Sequence, residues 1–177
     1  MEYDMLKPYS KRATHGCPCG FYNHPEKECV CAPGVVQKYL NKISGPLMDR
    51  IDLHVEVTPV SFNELSSERK SEDSSKIRER VIKAREIQSK RFEGNEYVHS
   101  NAQMEANMVQ EICVIGDTGK NLLNRAMTKL NLSARAYDRI IKVSRTIADL
   151  AGSQEIKTEH LAEAIQFRSL DREDWAM

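Results

Sequence analysis

Apolar residues recur every three or four positions over most of the second half of the chain, which is the spacing of one face of an amphipathic helix. In the first such segment Ile77, Val81 and Ala84 share a face, and the helix is predicted to begin near Ser75 and to close near Gly94. Further helices are predicted over 103–113, over 122–130, over 133–151 and from Thr158 onward, with a break at Gly116–Gly119 and a stop at Gly152. The predicted N-caps are Ser74 or Ser75, Ser133 and Thr158. This half of the chain is therefore predicted to be a set of helices joined by short loops.

The first third of the chain has a different pattern. Residues 35–44 predict a short helix that ends at Gly45-Pro46, and the alternating segment Leu53–Val57 predicts a β-strand that stops at Thr58-Pro59. A single strand does not form a stable sheet, so this strand is expected to need partners. The polar residues 61–74 predict a linker. The predicted fold class is therefore mainly α.

The helix predicted over 133–151 has two contrasting faces. Its apolar face is predicted to hold Tyr137, Ile140, Ile141, Ser144, Ile147, Ala148 and Ala151. Arg139 and Lys142 lie on the opposite face, where a solvated polar surface is the favoured interpretation. Arg135 also lies there, but in the first turn, where the helix dipole disfavours a cation. Its position indicates an anionic ligand nearby.

The charge balance gives no global sign of a nucleic-acid or membrane partner. Lys+Arg and Asp+Glu both number 26, so the formal net charge is zero. No stretch approaches the roughly 18 consecutive apolar residues typical of a membrane-spanning helix, and the first 13 residues lack the apolar core of a signal peptide. The protein is predicted to be cytoplasmic, with no membrane partner.

Four of the five cysteines are clustered as Cys17-Pro18-Cys19 and Cys29-Val30-Cys31. Two close pairs of thiolates favour a structural, tetrahedral Zn²⁺ site. Only one residue separates the members of each pair, where two are usual, so His15 and His24 remain alternative ligands. Free thiols and a redox pair are the other interpretations, and a disulfide is disfavoured in a cytoplasmic protein. No carboxylate accompanies the cluster at a spacing typical of catalytic zinc, and the remaining Cys113 is predicted to be a core residue.

Several stretches together resemble one family. They are Cys17-Pro-Cys-Gly20, Cys29-Val-Cys31, Lys42–Val57, Leu132–Gly152 and His160–Arg168. They are similar to the C-terminal third of magnesium-chelatase-like AAA+ ATPases of the ComM/YifB type. The resemblance covers about 17–172.

The resemblance implies roles for two arginines. Arg50, in Gly-Pro-Leu-Met-Asp-Arg-Ile-Asp, matches the arginine finger that reaches the nucleotide of a neighbouring subunit, with Asp49 and Asp52 placed to orient it. The alternative for Arg50 is an ordinary ion pair with those two aspartates. Arg135 matches the sensor-2 arginine at the start of the lid helix.

The resemblance also implies a domain division. Residues 1–60 would be a remnant of the α/β ATPase core with the cysteine loop, a short helix and the final strand. Residues 61–74 would be a linker, and residues 75–172 would form the C-terminal helical lid domain.

The departures from the family pattern concern the nucleotide site. The sequence contains no Gly-x-x-x-x-Gly-Lys-[Ser/Thr] motif, and no Walker B strand precedes Cys17. Thr14-His15-Gly16 stands where the family has Met-Asn-Pro with its sensor-1 asparagine. The expectation is an N-terminally truncated family member that neither binds nor hydrolyses ATP alone, since ATP and Mg²⁺ would be held only by a full-length member.

Three functions remain to be weighed. The first is an ATPase fragment, which in the full-length family would act in a homo-oligomeric ring on DNA or a protein. The second is a zinc-stapled helical module that binds a protein or DNA without enzymatic activity. The third, a chelatase that inserts metal into a porphyrin, is disfavoured because the sequence has no metal-handling partner domain.

Overall fold

The computed structural model describes residues 16–24, 26–57, 60 and 72–168. It divides into two compact units, one that ends at Ile43 and one that begins at Ser44. Residues 44–57 therefore group with the helices that follow them. Residues 61–71 of the predicted linker and His15 lie outside the described residues.

The described residues are mainly helical, as predicted. The α-helices are α1 Pro33–Leu40, α2 Gly45–Met48, α3 Ser74–Arg91, α4 Ala106–Ile112, α5 Asp117–Lys129, α6 Ala134–Leu150 and α7 Thr158–Gln166. The helix predicted over 103–113 is confirmed as α4, which begins three residues later, and a short 3₁₀ helix over Asn101–Gln103 precedes it. Pro33 occupies the first position of α1, where its missing N–H costs no helical hydrogen bond.

The strand predicted over Leu53–Val57 is absent from this structure. The segment is not assigned to a sheet, and Val55 and Val57 are 63% and 85% exposed. The parallel bridge between Ile115 and Ile156 is isolated and belongs to no named strand. The prediction was wrong because an alternating pattern favours a strand only where a second strand supplies hydrogen-bond partners.

The core of the second unit lies around α6. Helix α6 packs against α3, α4 and α7, and α5 packs against α7. The fully or nearly fully buried apolar residues of α6 are Ala136, Ile140, Ile141 and Ala148. Tyr137 was predicted for this buried face, but it is 41% exposed because it lies at the edge of the stripe. Ile77 and Val81 are also exposed, so α3 is buried only in its C-terminal half, at Ala84 and Gln88.

The helix ends follow local rules with some differences from the predictions. The Ser133 hydroxyl caps α6 by accepting a hydrogen bond from the Ala136 N–H at 3.2 Å, as predicted. Gly152 ends the helix with φ 66°, also as predicted. The cap of α3 is the Asp73 carboxylate rather than a serine, and α7 is preceded by Lys157 rather than capped by Thr158.

The break predicted at Gly116–Gly119 is confined to Gly116, which is the N-cap of α5. Gly119 is buried inside α5. A Cβ atom there would lie 2.6 Å from Ile115 Cγ2 and 2.7 Å from Leu161 Cδ1. The missing side chain therefore permits close packing of α5 against α7, which helix propensity alone does not predict.

Candidate metal centre and arginine site

The four clustered cysteines converge at one point of the first unit. The sulfurs of Cys17, Cys19, Cys29 and Cys31 all lie within 4.8 Å of one another. The Cys17–Cys19 sulfur distance is 3.2 Å, and Cys29 Sγ is 3.6 Å from each of those two sulfurs. A tetrahedral Zn²⁺ with Zn–S bonds of about 2.3 Å places its sulfurs about 3.8 Å apart. The donor set and its spacing therefore fit a single thiolate-bound ion.

A tight turn brings the first pair into position. The Gly20 N–H donates to the Cys17 carbonyl at 3.1 Å, and Gly20 has φ 81°, a conformation that glycine adopts without a steric cost. Cys17 is 1% exposed. The cluster is thus built by the local backbone as well as by the spacing of the cysteines.

The thiols of the cluster do not ionise equally. A backbone hydrogen bond from Phe21 and the Cys17 sulfur lower the pKa of Cys19 to about 6. At Cys29 a backbone hydrogen bond involving Cys31 favours the thiolate, but burial and the neighbouring sulfurs outweigh it and raise the pKa to about 12. Four thiolates this close repel one another, so full ionisation requires a cation among them.

The alternative ligand His24 lies outside the cluster. Its Nδ1 accepts hydrogen bonds from the backbone N–H groups of Glu26 and Lys27, each at 3.1 Å. Cys113 is a buried core residue of the second unit, and burial raises its pKa to about 11. Burial therefore disfavours the thiolate, which is the reactive form of cysteine.

Arg50 lies in an exposed turn just after α2. Its Nη1 donates to the carbonyl of Pro46 at 2.8 Å, which is a neutral acceptor. The flanking carboxylates have other partners, since Asp52 pairs with Arg139 and Asp49 lies 3.7 Å from Arg168 Nη2. The ion pair of Arg50 with its own neighbours is therefore not formed, and these aspartates do not orient it directly.

Arg135 is exposed in the first turn of α6, as its sequence position predicts. Arg139 and Lys142 are not part of a solvated face, which corrects the prediction for these two residues. Arg139 bonds Asp52, and Lys142 Nζ donates to the Met104 carbonyl at 2.5 Å. These partners come from segments remote in sequence, so α6 periodicity could not reveal them.

Sequence reasoning missed a buried charge network at the C-terminal half of α6. The Asp149 carboxylate accepts hydrogen bonds from Arg91 Nη1 at 2.7 Å, Asn101 Nδ2 at 2.7 Å and Arg145 Nε at 3.1 Å. Burial alone would raise the pKa of Asp149, but the hydrogen bonds from Arg91 and Asn101 outweigh it and hold this pKa below its usual range. The available signal was Arg145 and Asp149 as an opposite-charge pair four residues apart beside the apolar stripe.

Arg139 pairs with Asp52, and Arg168 lies beside Asp49. Burial, and then the neighbouring Arg168 cation, lower the pKa of Arg139, while Asp49 opposes the shift. Arg168, at the end of α7, is 0% exposed. The segment that carries Arg50 is thus held by two arginines of the helical unit.

No helix among the described residues combines the length and the apolar content needed to cross a membrane.

Comparison with known proteins assigns both units to one family. The model for the C-terminal part of magnesium chelatase subunit ChlI matches residues 71–168, and the model for magnesium chelatase subunit ChlI matches residues 11–65. The chain is 39% identical to the competence protein ComM of Haemophilus influenzae over 161 residues, which is 90% of this chain and 30% of that relative. It is 36% identical to YifB of Salmonella typhimurium over 163 residues, with 90% of this chain and 30% of that relative covered.

The chain therefore spans about 30% of the length of the curated relatives that it matches. Since the C-terminal model alone covers more than half of its residues, the chain belongs to the magnesium chelatase subunit ChlI family, in which it is similar to proteins of the ComM type.

Proposed function

We propose that residues 44–168 supply the helical lid and two trans-acting arginines of an AAA+ ATPase that hydrolyses ATP in a ring. Arg50 is the arginine finger and Arg135 is the sensor-2 arginine. Because the 177 residues contain no P-loop motif, this chain alone neither binds ATP tightly nor hydrolyses it. The family membership supports the general class of this proposal.

The observation that carries the proposal is the environment of Arg50. Its guanidinium is exposed and bonds a neutral carbonyl, while the adjacent carboxylates are engaged by Arg139 and Arg168. Its positive charge is thus not compensated by Asp49 or Asp52. A guanidinium in this state is suited to neutralise the charge that develops on a γ-phosphate held by a neighbouring subunit.

Arg135 supports the same proposal from a second element. It lies beside the N-terminal N–H groups of α6, which already attract an anion, and a cation is disfavoured there unless an anion is bound. An ATP phosphate would remove this conflict. In this proposal the full-length protein assembles as a homo-oligomeric ring that processes DNA, and one relative of the chain is named a competence protein.

We also propose that the cysteine cluster holds a structural Zn²⁺. All four ligand positions of a tetrahedral ion are filled by thiolates, which leaves none for substrate and excludes a catalytic role for such an ion. When bound, the ion would supply the positive charge that lets the four thiolates coexist. The residues of this chain would fold the loop between the two cysteine pairs around it.

The Arg50 assignment is tested by Arg50→Ala at the matching position of full-length ComM. The substitution is expected to lower kcat for ATP hydrolysis by about 10³-fold or more, because the finger acts mainly in the transition state. Nucleotide affinity, measured by fluorescent-ATP titration, should be largely retained. Arg125→Ala on the exposed surface of α5 is the matched control and should leave kcat unchanged.

Unchanged turnover in the Arg50→Ala protein would remove Arg50 from this role. ATP hydrolysis by the 177-residue chain alone, in a sample free of contaminating ATPases, would contradict the proposal that the nucleotide is held by another part of the assembly.

A further inference from the structure

A fully buried arginine, Arg168, contacts the segment that carries Arg50. Arg168, 0% exposed at the end of α7, donates from Nη1 to the Ile51 carbonyl, and its Nη2 lies 3.7 Å from the Asp49 carboxylate. These are the two residues that flank Arg50. The guanidinium of Arg168 therefore lies against the residue before Arg50 and the residue after it.

A second arginine holds the same segment from α6. Arg139 Nη1 pairs with the Asp52 carboxylate, and their side chains are 26% and 50% exposed. Arg139 follows Arg135 by one helical turn, so the helix that presents Arg135 also binds the segment that presents Arg50. A guanidinium is planar and its donors are fixed relative to one another, which restricts the orientation of what it binds.

Backbone contacts complete the attachment. The His54 N–H donates to the Phe167 carbonyl at 2.8 Å, and His54 Nε2 lies 3.3 Å from the Met48 carbonyl. The Arg50 N–H itself donates to the Leu47 carbonyl at 3.0 Å. The turn is therefore connected to the helical unit on both sides of Arg50, while the Arg50 side chain stays exposed.

We propose that Arg139 and Arg168 are positioning residues for Arg50, because they fix the turn that carries it against α6 and the end of α7. The catalytic consequence rests on the proposed function of Arg50 as an arginine finger. A misplacement of about 1 Å at a reacting group can cost on the order of 10²-fold in rate. Through the contact of Arg139, the turn that carries Arg50 is also attached to the helix that carries Arg135.

The positioning is tested on the intact 177-residue chain by NMR relaxation. The backbone order parameters of Arg50 and Ile51 are expected to be about 0.85, the value typical of rigid backbone. In Asp52→Asn and Arg139→Lys they should fall below about 0.6, while the buried Ile140 of α6 keeps its value. Arg125→Lys removes a guanidinium from an exposed site and should change the order parameters neither of the Arg50 turn nor of α6.

Arg168→Lys should give the larger loss of order, but its burial makes a global folding defect a risk for this variant alone. The half-exposed Asp52 makes Asp52→Asn the decisive substitution. An unchanged order parameter at Arg50 in both Asp52→Asn and Arg139→Lys would overturn the proposal.

The catalytic consequence is tested separately at the matching positions of full-length ComM. Arg139→Lys is expected to lower kcat by about 10- to 100-fold with an unchanged KM for ATP. If Arg50 loses order in the 177-residue chain but Arg50→Ala leaves ATP hydrolysis intact, the finger assignment fails and the positioning stands. If Arg50→Ala abolishes hydrolysis but order at Arg50 is unaffected, the positioning fails and the finger stands.

Discussion

Asp149 is 1% exposed on α6, where it accepts hydrogen bonds from two arginines and an asparagine. Arg91 comes from the end of α3, Asn101 from the 3₁₀ helix and Arg145 from the preceding turn of α6. One carboxylate therefore joins three segments. Buried charges of this kind are tolerated only when each has a partner, because an unpaired charge in the interior carries a large desolvation cost.

Asp149→Asn should lower the free energy of unfolding by about 3–5 kcal/mol, because it leaves the Arg91 and Arg145 charges without their carboxylate. Urea denaturation followed by circular dichroism measures this change. Asp117→Asn is the control, since Asp117 has a 97% exposed side chain and should change stability by less than about 0.5 kcal/mol.

The same variant has a characteristic pH dependence. The folded pKa of Asp149 lies below its unfolded value of about 3.9, so its contribution is fully present above that pH and is lost as pH falls through the folded pKa. The stability difference between wild type and Asp149→Asn should therefore shrink below about pH 4. A difference that stays constant down to pH 2 would contradict the depressed pKa.

At the scale of elements, α5 and α7 approach closely because Gly119 has no side chain. Ile115 and Leu161 occupy the space that a Cβ atom would need. Glycine in a helix interior usually costs about 1 kcal/mol relative to alanine, so its presence here indicates that packing outweighs helix propensity. The sequence predicts a glycine break at this point, and only the packed helices show that Gly119 continues α5.

Gly119→Ala should lower the free energy of unfolding by about 1–2 kcal/mol, since overpacking outweighs the gain in helix propensity. Thermal and urea unfolding of the purified chain measure the change. Gly34→Ala in α1 is the matched control, because its Cβ would meet no atom within 4 Å. A stabilised Gly119→Ala protein would show that Ile115 and Leu161 move aside without cost.

The prediction that Ser133 caps α6 was confirmed, whereas the strand predicted over Leu53–Val57 was wrong. Both outcomes have the same physical reason. Ser133 caps α6 through a hydrogen bond to a residue three positions later, so the local sequence contains the whole interaction. A strand instead requires hydrogen bonds from a remote segment. The alternating pattern of Leu53–Val57 therefore could not establish a strand by itself.

At the scale of the whole molecule, the chain divides into a cysteine-centred unit and a helical unit. The first unit has few buried apolar residues among those described, of which Cys17, Val36 and Leu40 are examples. Small units of this kind commonly depend on a bound metal for stability. The helical unit has its own apolar core around α6.

The purified chain should contain one Zn²⁺ per molecule by elemental analysis, and Cys17→Ser combined with Cys29→Ser should remove it. Binding should weaken as pH falls, because protons compete for the thiolates. Cys113→Ala should retain full zinc content, since Cys113 lies in the helical core. Absence of zinc from the wild-type chain, or its retention in the double variant, would contradict a Cys₄ site.

Zinc removal with a chelator should loosen the cysteine-centred unit and leave the urea transition of the helical unit in place.

The sequence predicted the cysteine cluster well, because the members of each cysteine pair are close in the chain and the turn at Gly20 is a local feature. The sequence also predicted that Arg135 lies on the polar face in the first turn of α6, where it is exposed. The catalytic roles of Arg50 and Arg135 are proposals.

By itself, the sequence determined the helical class, the cap of α6 and the convergence of four cysteines, because each depends on residues close together in the chain. The tertiary structure decided which carboxylates pair with which arginines. Asp52 meets Arg139 across 87 positions, and Asp149 meets Arg91 across 58. Pairings between distant residues have no local signal, since they arise only when packing of the helices brings those residues together.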